Sequence, residues 1–152
     1  MIKFIMVMNM KNSDLENTLF SYISKIKHRS AYFIEKEARN RGIKLAYSHM
    51  RIIVILYFNK KLSMKELTEK LVRDKSTVTS LVNKLETEGY IKKTICETDK
   101  RITYLELEDK SEEVIEVMSE ISKLFQKKVD SILKKEETEI LYKIMKKLAD
   151  NW

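Results

Sequence analysis

No proline interrupts these 152 residues, and only Gly42 and Gly89 can take a left-handed backbone at low cost. With so few positions able to break a helix, the chain is expected to be mainly helical. Its length and its mix of 43% hydrophobic and 35% charged residues suit one compact, soluble domain with a real core. A single cysteine, Cys96, can form no intrachain disulfide, which points to a reducing, cytoplasmic setting. The first ten residues are apolar apart from Lys3 and Asn9, but no small-residue cleavage site follows, and the run is too short to cross a membrane. They read as an arm that covers apolar surface.

Periodicity places the helices. Ser13-Asp14-Leu15-Glu16 has the form of a capping box, and Leu15, Leu19, Tyr22, Ile23, Ile26 and Phe33 follow at helical spacing toward a stop near Gly42. Ser48 can cap a second helix whose residues 52–58 are nearly all apolar, as in a central core helix. Ser63-Met64-Lys65-Glu66 is another capping box, with Met64, Leu67 and Leu71 on one stripe of a short helix ending near Val72. Asp74 then caps a helix that turns Val78, Leu81, Val82 and Leu85 inward and ends at Gly89. Residues 91–95 and 102–107 alternate as two strands around Glu97-Thr98-Asp99-Lys100, a connection without glycine and therefore longer than a two-residue turn. After Ser111, the set Val114, Met118, Ile121, Phe125, Val129 and Ile132 forms the seam of a long helix, and residues 135–149 form a last one.

The expected order is α-α-α-α-β-β-α-α: two helices joined by a tight turn, then a β-hairpin wing. Once the apolar set of the 75–88 helix faces the core, Lys75, Ser76, Thr77, Thr79, Ser80, Asn83 and Lys84 lie outside. Short hydroxyls and an amide near a helix N-terminus can bond base edges and phosphates, and such a helix fits a major groove. A polar outer face is also what any surface helix shows. The wing adds specificity: Arg101 at the hairpin tip suits the negative potential of a minor groove, with Asp99 on the same strand face to orient it and Lys93 and Lys100 as further cations.

With these residues in view, the chain resembles the multiple-antibiotic-resistance regulator (MarR) family of winged helix-turn-helix transcription factors. The likeness is sharpest from Leu67 to Arg101, through D-K-S-T-V-T-S-L-V-N-K-L-E-T-E-G-Y-I-K-K and the later D-K-R. It implies a homodimer, joined through its first and last helices, on a pseudo-palindromic operator in double-stranded DNA, with release triggered by a small effector or oxidant. Residues 63–107 would then be the DNA-binding region, and 1–62 and 108–152 the dimerisation region with the core helix. Two departures stand out. The family usually has arginine where Lys93 stands, which turns a bidentate contact into a point charge. Where the family reads Leu-Thr-x-x-Gly, this chain has Leu107-Glu108-Asp109-Lys110-Ser111, so Asp109 or Ser111 is expected to cap the next helix.

The net charge is +7, and its surplus lies early: residues 1–62 carry 12 Lys and Arg against 4 Asp and Glu, whereas residues 63–107 carry 9 against 8. Arg39, Arg41, Lys44 and Arg51 could neutralise phosphates or greet an anionic ligand. For an aromatic or anionic effector the candidates are Tyr22, Arg29, Tyr32, Tyr47, Arg51 and Tyr57, which ordinary core packing would equally employ. His28 and His49 lack a ligand-spaced cluster, so no metal or other cofactor is expected. Cys96 reads as an inert strand thiol. No phosphate loop and no nucleophile or paired-carboxylate constellation marks an enzyme. Two readings remain: a DNA-binding regulator, or a winged-helix module that contacts another protein, which the near-neutral 63–107 segment would favour.

Overall fold

The computed structural model describes residues 15–151. The apolar stretch 1–10 and the caps at Ser13 and Asp14 lie outside that range. Helices α1 (Leu19–Asn40) and α2 (Tyr47–Asn59) lead into strand β1 (Lys61–Ser63), then α3 (Met64–Leu71), α4 (Lys75–Thr87), β2 (Ile91–Ile95), β3 (Thr103–Leu107), α5 (Ser111–Asp130) and α6 (Lys135–Asp150). This is the expected mainly helical winged helix-turn-helix with one element added. β1 completes an antiparallel sheet of order β1-β3-β2, with Leu62 opposite Leu105 and Lys93 opposite Leu105 on the other side. Three residues reading Lys-Leu-Ser carry no period; only the free edge of β3 makes them a strand.

Two helix starts differ from expectation. α1 is capped at Thr18, whose hydroxyl accepts from the Ser21 N–H at 3.1 Å. α2 begins at Tyr47 without a local side-chain cap. Glu35 Oε1, on α1, accepts from the Tyr47 N–H at 2.7 Å, so a tertiary contact does what Ser48 was expected to do.

α2 is the core helix. Met50, Ile52, Ile53 and Leu56 are fully buried, and Leu62, Leu67, Leu85, Ile91, Leu105, Val114 and Ile121 pack around them. Phe33 on α1 meets Phe125 on α5 edge to face at 5.9 Å, and Arg41 joins the same two helices by ion pairs to Glu37 (2.7 Å) and Glu120 (3.2 Å). That employs one of the basic residues considered for phosphate or ligand contact. The start of α5 is pinned differently from expectation. Asp109 and Ser111 cap nothing: Ser111 is buried and its hydroxyl donates to the Tyr90 carbonyl, while Lys110 donates to the Glu88 carbonyl at 2.7 Å.

α6 packs against α5 but buries none of its residues; Ile140, Leu141, Ile144 and Met145 all stand exposed. Leu19, Phe20, Ile23 and Ile26 do the same on α1. Among the described residues, no helix is long and apolar enough to cross a membrane.

Candidate nucleic-acid interface

α3 opens with the capping box read from sequence: Ser63 Oγ accepts from the Glu66 N–H at 3.2 Å, and Glu66 accepts from the Ser63 N–H at 2.7 Å. It closes on Val72, which adopts a left-handed conformation (φ 51, ψ 51) although it is a valine. Two residues later Asp74 starts α4, and the backbone between them turns one helix sharply into the next.

The rotation of α4 follows from burial. Val78, Val82 and Leu85 are fully buried, and each is worth about 1.5–3 kcal/mol relative to exposure. Turning the helix to hide its polar face would forfeit most of that, so Lys75, Ser76, Ser80, Asn83 and Lys84 are held outward, with Thr77 and Thr79 half-buried beside them. Lys75, Ser76, Thr79, Ser80 and Asn83 together line a shallow surface depression. Leu81, expected inward, is only partly buried at the edge of the core.

The polar groups on this face are not equally available. Asp74 accepts from the Ser76 hydroxyl (2.6 Å), the Thr77 N–H (2.8 Å) and the Thr77 hydroxyl (2.7 Å). These bonds, the Ser76 hydroxyl foremost and the Thr77 N–H next, hold its carboxyl well below the usual carboxylate range. It is therefore ionised at neutral pH, and both hydroxyls are oriented with their lone pairs outward. Thr79 donates back to the Lys75 carbonyl at 2.8 Å. Ser80 is exposed, and its hydroxyl makes no hydrogen bond among the described residues.

Lys93 does not stand free. Its ammonium lies 2.6 Å from both Asn83 Oδ1 and Glu86 Oε2, so it joins β2 to α4, fixes the amide of Asn83 with its NH₂ outward, and has its charge cancelled by Glu86. Glu86 is not among the residues expected from sequence, although Asn83 and Glu86 stand three residues apart, one turn of one face. Lys84 pairs more loosely with Glu88 at 3.8 Å.

At the wing, residues 96–102 connect the strands, longer than a tight turn, as the lack of glycine implied. Asp99 accepts from the backbone N–H of Arg101 at 2.9 Å, and its carbonyl accepts from the Ile102 N–H at 3.0 Å. Asp99 thus shapes the turn rather than gripping the guanidinium. The Arg101 and Lys100 side chains are exposed and make no ion pair among the described residues; Arg73 presents a third such cation just ahead of Asp74. Cys96 lies 3.2 Å from Thr98 Oγ1, and that hydrogen bond, followed by the Asp99 and Thr98 N–H groups, lowers its thiol below the ordinary value.

The six candidate effector residues do not converge. Tyr22, Arg29 and Tyr32 are exposed along α1, Tyr47 packs against the core, Arg51 faces solvent, and of the six only Tyr57 lines a cavity between the end of α2, the base of the wing and the start of α5. His28 lies on exposed α1 and His49 is buried in α2; no three His, Cys, Asp or Glu side chains come together among the described residues.

The sequence model of the MarR family matches residues 45–103, from the entry to α2 through the wing. The HTH-type transcriptional regulator BilQ of Clostridium symbiosum is 28% identical over 137 residues, 89% of this chain and 92% of its own. SarZ of Staphylococcus epidermidis, also an HTH-type transcriptional regulator, is 31% identical over 78 residues, 51% of this chain and 53% of its own. Among solved structures, a MarR variant from E. coli complexed with operator DNA superposes with a TM-score of 0.80 at 13% identity, covering 91% of this chain and 99% of that one. The S. aureus MepR–DNA complex gives 0.78 at 18% identity, with 89% and 98% covered.

Proposed function

We propose, for a chain that carries a MarR-family domain at residues 45–103, that it is a sequence-specific DNA-binding transcriptional regulator. One observation carries the reading. Burial turns the Ser76, Thr77, Ser80 and Asn83 face of α4 outward on the same unit as a wing arginine that makes no ion pair among the described residues, in a fold whose neighbours include chains solved on DNA. In the proposed complex α4 lies in a major groove. Ser80 and the Asn83 amide meet base edges, Lys75, Lys84, Lys100 and Arg73 meet phosphates, and Arg101 enters the adjacent minor groove. Lys93 acts through Asn83 as a positioning residue.

The apolar faces of α1 and α6 support a homodimer. Two amphipathic helices at opposite ends of the chain each leave a row of large aliphatic side chains uncovered, and a second copy across a two-fold axis would bury both at once. In this reading 63–107 is the reading unit and the terminal helices form the joint. A pseudo-palindromic operator with half-sites about one helical turn apart follows from the symmetry. Repression relieved by a small molecule is the mode of action proposed, in the cytoplasm and without enzymatic activity of its own.

Fluorescence polarisation with duplexes from the intergenic DNA beside the protein's own gene tests this. Expected is binding to an inverted repeat at least about 10³-fold tighter than to scrambled duplex, falling steeply with salt. Equal or absent binding at low ionic strength would overturn it and favour a protein partner.

A further inference from the structure

The outer face of α4 has a hydrogen-bond polarity as well as a charge. Ser76, Thr79, Ser80 and Asn83 recur every three or four residues, so they share one face of the helix, where with Lys75 they line the shallow depression. A serine or threonine hydroxyl has one proton to give and two lone pairs to receive with. Most of those protons are already placed. An ionised carboxylate carries none, so in the 2.6 Å contact between Ser76 Oγ and Asp74 Oδ1 the serine is the donor. Thr77 gives its proton to the other oxygen of Asp74 at 2.7 Å, and Thr79 gives its own to the Lys75 carbonyl at 2.8 Å. At the far end the order reverses. An ammonium only donates, so the Lys93 contact at 2.6 Å is to the Asn83 oxygen, and the Asn83 NH₂ is left facing outward.

Of the three committed hydroxyls, Ser76 is exposed, whereas Thr77 and Thr79 are half-buried. Ser76 can turn its proton outward only by giving up a charge-assisted bond, the stronger kind, and by leaving Asp74 with less of its charge satisfied. A phosphate is therefore a poor partner for it. Phosphate oxygens accept and do not donate, and they carry the same sign as the Asp74 carboxylate that Ser76 touches. Guanine N7 and O6, adenine N7 and thymine O4 are acceptors as well. The donors in a major groove are the exocyclic amines, N6 of adenine and N4 of cytosine.

We propose that Ser76 reads a base amine: its lone pairs accept from adenine N6 or cytosine N4, with Asp74 as the positioning residue that keeps the serine proton turned away from DNA. This rests on the regulator reading and deepens it, because it names the base atoms under the first turn of α4. It also gives the half-site a direction. The Asn83 NH₂ calls for an acceptor, a purine N7 or thymine O4, and it stands about 10.5 Å further along the helix axis. Amine and acceptor then lie no more than about three base pairs apart, at ~3.4 Å per step.

The test needs no known operator. The full chain selects duplexes from a random pool, and polarisation then measures the selected site with each adenine or cytosine in turn methylated on its amine, which replaces the hydrogen that faces the major groove. At one such base per half-site, methylation should weaken wild type about fivefold, close to the worth of one hydrogen bond. Ser76→Ala removes the acceptor at a position where alanine suits the helix. It should bind plain and methylated duplex within about twofold at that base and keep its sensitivity elsewhere. Asp74→Gly leaves a tolerated N-cap residue and frees the Ser76 proton. Having lost a negative charge, it should bind unselected duplex more tightly, yet accept guanine or thymine at that base within about twofold. A merely structural role for Asp74 would lower both affinities together. The proposal is overturned if Ser76→Ala matches wild type at every methylated base, or if its loss of affinity couples instead to methylphosphonate replacement of one phosphate. A selection that enriches a site on which Ser76→Ala behaves as wild type sinks this proposal alone, whereas a selection that enriches nothing over the starting pool sinks the regulator reading.

Discussion

Truncating Arg101 to alanine isolates the wing's contribution. Its guanidinium is exposed and makes no ion pair among the described residues, while the hydrogen bond that shapes the turn runs from its backbone N–H to Asp99. The Cys96 N–H to Ile102 carbonyl bond at 2.9 Å closes the loop independently. Stability should therefore stay within about 0.5 kcal/mol of wild type. On DNA the consequence is larger. Each charge placed against the duplex releases about 0.9 counterion, and a dimer loses two, so the slope of log affinity against log salt should fall in magnitude by about 1.8. A fourfold rise in salt then narrows the gap between wild type and variant by roughly twelvefold. Polarisation titrations over a salt series, with thermal melts alongside, measure both quantities. K93M/E86Q is the control: it removes a cation whose charge Glu86 already cancels, so its slope should not change even if the loosened Asn83 lowers affinity. An Arg101→Ala slope identical to wild type, or a loss of affinity accompanied by a matching loss of melting temperature, would refute a direct role for the wing in DNA contact.

Val72→Gly should stabilise the chain. Val72 is 86% exposed and has little packing to lose, its left-handed backbone costs roughly 1–2 kcal/mol, and glycine's freedom in the unfolded chain returns roughly 0.4–1. A rise in melting temperature of about 1–4 °C is expected by differential scanning calorimetry, and a fall would mean Val72 is packed against something. His49 is buried, and its Nδ1 has no hydrogen-bond partner among the described residues; burial, helped by the Lys84 charge and opposed by Glu88, lowers its pKa below the ordinary value. The fold then prefers neutral imidazole while the unfolded chain takes up a proton near its ordinary pKa of about 6.5, so stability is complete above that pH and declines below it. His49→Phe should flatten the decline seen in urea midpoints between about pH 7 and pH 5, and an unchanged slope would exclude His49 as its source. Ile144→Lys puts a charge in the uncovered row on α6; sedimentation should show a monomer with operator affinity sharply reduced, and an intact dimer would move the interface elsewhere.

Much of the reading unit was legible because its signals are local. The Ser63–Glu66 capping box, the Asp74 cap, the 3.6-residue spacing of Val78, Val82 and Leu85, and the glycine-free wing all depend on residues within a turn or two of one another. Features set by distant partners were not legible. β1 is a strand because β3 offers it an edge, α2 starts where Glu35 reaches across from α1, and Lys93 is neutral in effect because Glu86 stands beneath it. The six effector candidates on α1 and α2 point to different surroundings for the same reason: helical spacing says which residues share a face, and nothing about what that face meets.

By itself, then, the sequence determined the kinds and order of most elements and which face of α4 looks outward, since periodicity and caps are properties of neighbouring residues. Only the tertiary structure decided which cations on that face are free, that Asp99 shapes the wing rather than holding its arginine, and that the cavity between α2, the wing and α5 collects five carboxylates from a basic chain. Charge balance, hydrogen-bond partners and cavities arise between side chains far apart along the chain, and it is their separation in space that sets the energies.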